Sequence, residues 1–118
     1  MTTLGPIGLA SSHPYTDDAT VVADEAQRIE RLGFSTLWRS GSLPMLDAAV
    51  RATVGIPVAT GIIPVDSVPA ADVVATFRSL QQDHPGRFIV GLGGAHGAQP
   101  LKTLNAYLDT LDDAGVTA

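Results

Sequence analysis

The chain has 118 residues, a formal net charge of −5 and no cysteine. That length suits one domain spanning residues 1–118, and 45% apolar residues are enough for a core. The lack of cysteine excludes disulfides, thiolate metal ligands and thiol nucleophiles. No apolar run approaches the ~20 residues of a membrane helix, and no basic n-region with an apolar h-region marks a signal peptide, so the expected location is cytoplasmic. Lys102 and six arginines are dispersed along the chain, which argues against a nucleic-acid surface.

In chain order the pattern alternates strand and helix. Residues 5–10 are expected to form a strand of small residues. Ala19, Val22, Ala23, Ala26 and Ile29 then recur at helical spacing, with Gly33 as the stop. Residues 35–39 predict a second strand, and residues 44–53 a short helix closed by Gly55. Residues 56–62 predict a third strand. Ala70, Val73, Val74, Phe77 and Leu80 repeat the helical stripe behind Pro69. Residues 87–92 predict a fourth strand. Leu101, Leu104, Leu108 and Leu111 form the last stripe, opened by Pro100 and closed by Gly115. Four such units predict a parallel sheet with right-handed crossovers. Asp17-Asp18 falls at a helix start, where negative charge is favourable, and Asp112-Asp113 at a helix end, where it is better solvated.

Ligands of parallel α/β sheets bind at the C-terminal strand ends. Gly91, Gly93 and Gly94 remove side chains from the end of the fourth strand, where a flat ring or phosphate could approach the backbone. Read by itself, the run is equally a strand that needs small residues to pack. It is no dinucleotide fingerprint, since His96 stands where the third glycine belongs. A flavodoxin-like module would want a phosphate loop after the first strand, and Pro14 in Ser11-Ser12-His13-Pro14 removes a backbone donor there. Ser11 and Ser12 lack the glycine elbow of a hydrolase. The three histidines have no metal-ligand spacing and no paired carboxylate beside them, so no metal is expected.

Pro85-Gly86-Arg87-Phe88-Ile89-Val90-Gly91-Leu92-Gly93-Gly94 resembles the "spGRfxxGlGxG" strand of the bacterial-luciferase-like family, whose members use flavin or deazaflavin. Gly33-Phe34-Ser35-Thr36-Leu37-Trp38 is similar to its "GYdslW" strand, and Val58-Ala59-Thr60-Gly61-Ile62 to its "lgTGv" strand. Leu4-Gly5-Pro6-Ile7-Gly8-Leu9 resembles the first strand of a coenzyme F-420 subgroup.

The resemblance implies a TIM-type (β/α)8 barrel, of which this chain supplies a parallel (βα)4 half. A whole barrel needs eight units and about 250 residues. The two open strand edges invite pairing, either in a homodimer or with a complementing C-terminal half-barrel.

The implied activity is that of an oxidoreductase acting on a small organic substrate. FMN members incorporate oxygen, and coenzyme F-420 members transfer a hydride. In relatives the backbone after the matching Thr-Gly bulges, often with a non-proline cis peptide, and braces the flavin. The resemblance therefore assigns Thr60, Gly61 and Ile62 to the cofactor, together with Gly91, Gly93 and Gly94. Read alone, Thr60-Gly61 simply ends a buried strand.

The resemblance also makes His96 the first catalytic candidate, with His13 second. Arg39, read at the rim, matches a phosphate or carboxylate tail. Where relatives often carry an acidic residue or histidine after "LW", this chain has Arg39-Ser40-Gly41. The later strands that supply much of the phosphate grip are not in this sequence. The competing expectation is a catalytically inactive half-barrel that assembles through its open edges.

Overall fold

The computed structural model describes residues 7–40 and 42–118. The Leu4-Gly5-Pro6 part of the opening motif, and Gly41, lie outside them. The order of elements is β1 (Gly8–Ala10), α1 (Ala19–Arg31), β2 (Thr36–Arg39), α2 (Leu43–Ala52), β3 (Val58–Thr60), β4 (Ile63–Pro64), α3 (Ala70–Asp83), β5 (Phe88–Ile89), β6 (Leu92–Gly93) and α4 (Pro100–Asp113).

The main sheet is wholly parallel, in the order β1-β2-β3-β5, and β4 pairs with β6 in a second parallel pair. Leu9, Leu37, Val58 and Phe88 form one cross-strand row, and Ala10, Trp38, Ala59 and Ile89 the next. Successive residues of a strand point to opposite faces, so these rows mark the two sides of the sheet. On the first side Leu37 and Val58 are fully buried against the stripes of α1 (Val22, Ala26, Ile29), α2 (Leu46, Ala49, Val50) and α3 (Val73, Leu80). Phe77 meets Phe88 at a ring-centroid distance of 6.0 Å, tilted by 48°, a contact worth about 0.5–1.5 kcal/mol beyond its burial. On the second side Trp38 stands 42% exposed. One layer of helices on one face of a parallel sheet is the architecture of a (βα)4 half of a TIM-type barrel.

Local signals account for the helix boundaries. The Asp18 side chain accepts hydrogen bonds from the Thr20 and Val21 amides at the start of α1. Gly33, just past its end, takes φ +89°, a conformation costly for any residue with a Cβ. Ser42 caps α2 through the Met45 amide.

The structure corrects two expectations. The face of α4 is rotated: Tyr107 and Leu111 are buried with Leu104 beside them, whereas Leu101 is 75% exposed. The Tyr107 hydroxyl donates to the Val68 carbonyl at 2.7 Å, which turns that side of the helix inward. The third and fourth strands are also each broken in two. Thr60 Oγ1 accepts from the Gly91 amide at 2.7 Å and donates to the Gly91 carbonyl at 3.0 Å. That hydroxyl takes over the ladder at the break, and pairing resumes when the Ile63 amide donates to Gly91 and the Val65 amide to Gly93.

Candidate functional site

The strand ends place Ser11-Ser12-His13, Ser40, Thr60-Gly61-Ile62 and Gly94-Ala95-His96 along one margin of the sheet. The bulge after Thr60 is present, and the Gly61–Ile62 peptide is cis. The Ser40 hydroxyl donates to the Gly61 carbonyl at 3.2 Å. On the helix-free side the Trp38 indole lies over two glycines. A Cβ on Gly8 would come within 2.7 Å of its Nε1, and one on Gly61 within 3.4 Å of its Cε3. Ile62, 41% exposed, sits beyond it. Together they make an apolar wall open to solvent.

The glycines in and beside β6 lie close against the neighbouring strand. A Cβ on Gly91 would lie 2.1 Å from the Thr60 carbonyl oxygen, and one on Gly93 2.7 Å from Ile62 Cδ1. Beside Gly94 the space is taken by Pro64 and Ile62. The side of Gly91 and Gly93 on which a Cβ would stand is thus filled by the broken β3–β4 strand, and Gly94 takes φ +75°.

Arg39 is corrected as well. It is not a rim cation but is 2% exposed, on the helix side of β2. Its Nη1 donates to Ser11 Oγ at 2.9 Å and lies 3.5 Å from Glu25 Oε1. Its Nη2 donates to the His13 carbonyl at 3.3 Å. Its Nε is buried without a partner among the described residues.

Glu25 is the residue that sequence reasoning missed, and it contradicts the expectation that no carboxylate accompanies a histidine. Oε1 accepts from the Ser11 hydroxyl. Oε2 accepts from the Ser12 amide at 3.0 Å and the Ser12 hydroxyl at 2.6 Å, and meets His13 Nδ1 at 3.0 Å. Burial alone would raise the Glu25 carboxyl. The side chains of Ser11, Ser12 and His13, with the Ser12 amide, outweigh it and hold the carboxyl at about 2, below its ordinary 4.5. The signal was a glutamate three residues after Val22 and four before Ile29, beside the buried stripe of α1, facing an exit loop in which three successive residues carry donors.

This cluster is not a hydrolase triad. Such a triad needs nucleophile and acid on opposite ring nitrogens, whereas Ser12 Oγ (3.1 Å) and Glu25 both meet Nδ1 of His13. His96 lies after β6, and its amide donates to Asp66 Oδ2 at 2.7 Å. The two candidate histidines are therefore separated by the width of the sheet. His84 caps the C-terminus of α3, at the opposite strand end. Among the described residues no group of His, Cys, Asp or Glu could hold a metal ion, and no helix is long and apolar enough to cross a membrane.

The sequence matches no protein-family model and no curated protein. Solved structures do resemble it. Against the crystal structure of apo-MsnO8 the TM-score is 0.62 at 18% identity, over 91% of this chain and 38% of that one. Against a type II Baeyer-Villiger monooxygenase, the oxygenating constituent of 3,6-diketocamphane monooxygenase from the CAM plasmid of Pseudomonas putida in complex with FMN, it is 0.61 at 17% identity, over 92% and 37%. An archaeal fructose 1,6-bisphosphate aldolase gives 0.56 at 15% identity, over 93% and 45%. The likeness is one of fold, and the chain spans less than half the length of each of these structures. Monooxygenase and aldolase share the architecture, so any function must be argued from the site.

For a flavin-type group the residues present fit one part and not another. Trp38, Gly61 and Ile62 offer a flat apolar surface for a ring. With Arg39 buried against Glu25, its guanidinium is not free at the strand ends for a phosphate.

Proposed function

We propose that this chain is the N-terminal half-barrel of a luciferase-like oxidoreductase, and that FMN or coenzyme F-420 rests its ring on the wall formed by Trp38, Gly61 and Ile62. The observation that carries this reading is the break at Thr60–Ile63. There a side-chain hydroxyl clasps Gly91 and leaves Trp38 and Ile62 bare on the helix-free side. The fold it shares with an FMN-bound monooxygenase supports it. When bound, the cofactor would supply oxygen incorporation or hydride transfer. The chain's own part is to hold the ring flat, shield one face from water and move protons through histidines at the strand ends, acting on a small organic substrate.

Trp38 is the only tryptophan, so a ring stacked on it quenches the whole indole emission. Titration with FMN and, separately, with coenzyme F-420 is expected to quench it saturably with one of the two, and the responding cofactor chooses between the two chemistries. A linear, non-saturating decline with both sinks the reading.

A second reading has its own observation. Along the free edge of β1, Ile7, Leu9 and Leu32 are 61%, 37% and 65% exposed, an apolar margin suited to another half-barrel. A non-catalytic assembly module would show concentration-dependent association by sedimentation and no saturable quenching.

A further inference from the structure

Trp38 is the only tryptophan, and its neighbours on both adjoining strands are the smallest residues a chain can supply. In register it stands opposite Ala10 of β1 and Ala59 of β3. On the diagonals, two residues before Ala10 and two after Ala59, are Gly8 and Gly61. Diagonal positions are within reach of an aromatic side chain, and here the reach is used. A Cβ on Gly8 would come 2.7 Å from the indole Nε1 and 3.1 Å from Cδ1, and one on Gly61 3.4 Å from Cε3. Those atoms belong to opposite edges of the ring. The indole therefore lies crosswise, its pyrrole edge against Gly8 and its benzene edge against Gly61.

Glycine inside a strand weakens it, so Gly8 in β1 calls for a reason. Backbone conformation does not supply one, since the positive-φ glycines among the described residues are Gly33, Gly86, Gly94 and Gly115. Close approach does. The first atoms a Cβ at Gly8 would meet are those of Trp38, ahead of the Thr36 carbonyl at 3.3 Å. The support at the other edge is fixed. The Ser40 hydroxyl donates to the Gly61 carbonyl at 3.2 Å, and the Gly61 amide donates to the Arg39 carbonyl at 2.7 Å. A rigid ring stopped at both edges keeps one orientation, although Trp38 is 42% exposed.

Resting on the flavin reading above, we propose that Gly8 is the positioning residue of the ring wall. By leaving room for the pyrrole edge it locks the indole crosswise, so that the wall meets a flat aromatic ring in one preformed orientation. Gly8 acts through Trp38 and does not itself touch the ligand. Preorganisation of this kind raises affinity because no side chain has to be immobilised when the ligand binds.

Two measurements read the lock and the wall separately. In the wild-type chain, nuclear Overhauser cross peaks are expected between the indole Hε1 and the Gly8 α protons, and between Hε3 and the Gly61 α protons. Absence of the Gly8 cross peak overturns the proposal, whether or not a cofactor binds. Cofactor emission then gives the Kd of the responding cofactor. Gly8→Ala is expected to raise it about fivefold, the scale of ordering one side chain afresh. Gly97→Ala, where nothing lies within 4 Å of the added methyl, is expected to leave it unchanged. In Trp38→Ala, which has no ring to displace, Gly8→Ala is expected to have no further effect, the signature of a contact between the two positions. A Gly8→Ala value equal to wild type, or a penalty that persists in Trp38→Ala, overturns the proposal. If Gly8→Ala alone does not fold, the double variant is expected to fold, and failure of both overturns it too. A wild-type chain that binds neither cofactor sinks the flavin reading, while the cross peaks still decide whether Gly8 locks the indole.

Discussion

Arg87, just before β5, and Arg39, at the end of β2, are both buried and both lie near a glutamate of α1, yet they are used in opposite ways. At the N-terminal end of the strands, Arg87 Nε donates to the Ile56 carbonyl at 2.6 Å, Nη1 to Val54 at 3.0 Å, and Nη2 to Val50 at 3.2 Å and to the Thr53 hydroxyl. Glu30 completes the bracket by accepting from the Val54, Gly55 and Ile56 amides at 2.8–2.9 Å. The loop from α2 to β3 is thereby gripped by one cation on its carbonyls and one anion on its amides. Every nitrogen of that guanidinium is engaged, and nothing is left over for a ligand. At the C-terminal end the grip is on a side chain: Arg39 and a serine-serine-histidine loop enclose Glu25, an Nε stays unpaired and a histidine faces solvent. Unspent hydrogen-bonding capacity is what separates an end that can do chemistry from one that only holds the chain in place.

The contrast can be broken most severely at the structural end. Arg87→Met strips donors from the Ile56, Val54 and Val50 carbonyls. A loss of about 3 kcal/mol in the urea unfolding free energy is expected from buried acceptors left unpaired, and a loss near zero would deny the bracket its role. Next, Gly91→Ala drives a methyl into the Thr60 carbonyl and is expected to cost about 3 kcal/mol, the upper part of the range for overpacking.

The third test turns on pH. The Glu25 carboxyl is held at about 2 in the folded chain against an ordinary 4.5. Its contribution is therefore fully present above about 4.5 and is lost as pH falls through 2. Urea midpoints of wild type and Glu25→Gln should lie furthest apart above 4.5 and converge toward pH 2. A constant gap would mean that Glu25 is not clasped.

Trp38→Ala, at a half-exposed position, is expected to cost about 1 kcal/mol or less of stability while weakening flavin binding about tenfold, the scale of one lost ring contact. Flavin emission reads the second effect in the absence of the indole. Smallest in stability is His96→Ala, within about 0.5 kcal/mol. In an active preparation it lowers turnover about a hundredfold if His96 relays a proton, and unchanged turnover removes it from the site.

Much of this frame could be read from the chain because its determinants are local. The stripe Val22, Ala26, Ile29, the Asp18 cap and the Gly33 stop define α1 within sixteen residues, and the other helices repeat the stripe. The site was less legible because its determinants are distant. Whether Gly91 is small for a ligand or for Thr60 depends on a neighbour 31 positions away. Arg39 looks like a rim cation until Glu25, fourteen residues earlier, is folded over it. The strand breaks follow from one hydroxyl choosing a backbone partner on the next strand, which no periodicity encodes. The motif resemblance pointed to the cis peptide seen at Gly61–Ile62, whereas the close approach of Thr60 and Ile62 to Gly91 and Gly93 is a contact between strands that no motif spells out.

The sheet is laid down in sequence order, β1 beside β2, β2 beside β3, β3 beside β5. Each arriving strand therefore adds to an edge that is already built, and no segment waits for a distant one to be synthesised. Each pairing closes over a single crossover helix, the shortest connection a parallel pair allows, though such pairing still forms more slowly than a hairpin. During vectorial synthesis such a chain grows as a ribbon from its oldest strand, each crossover helix sealing the seam just made.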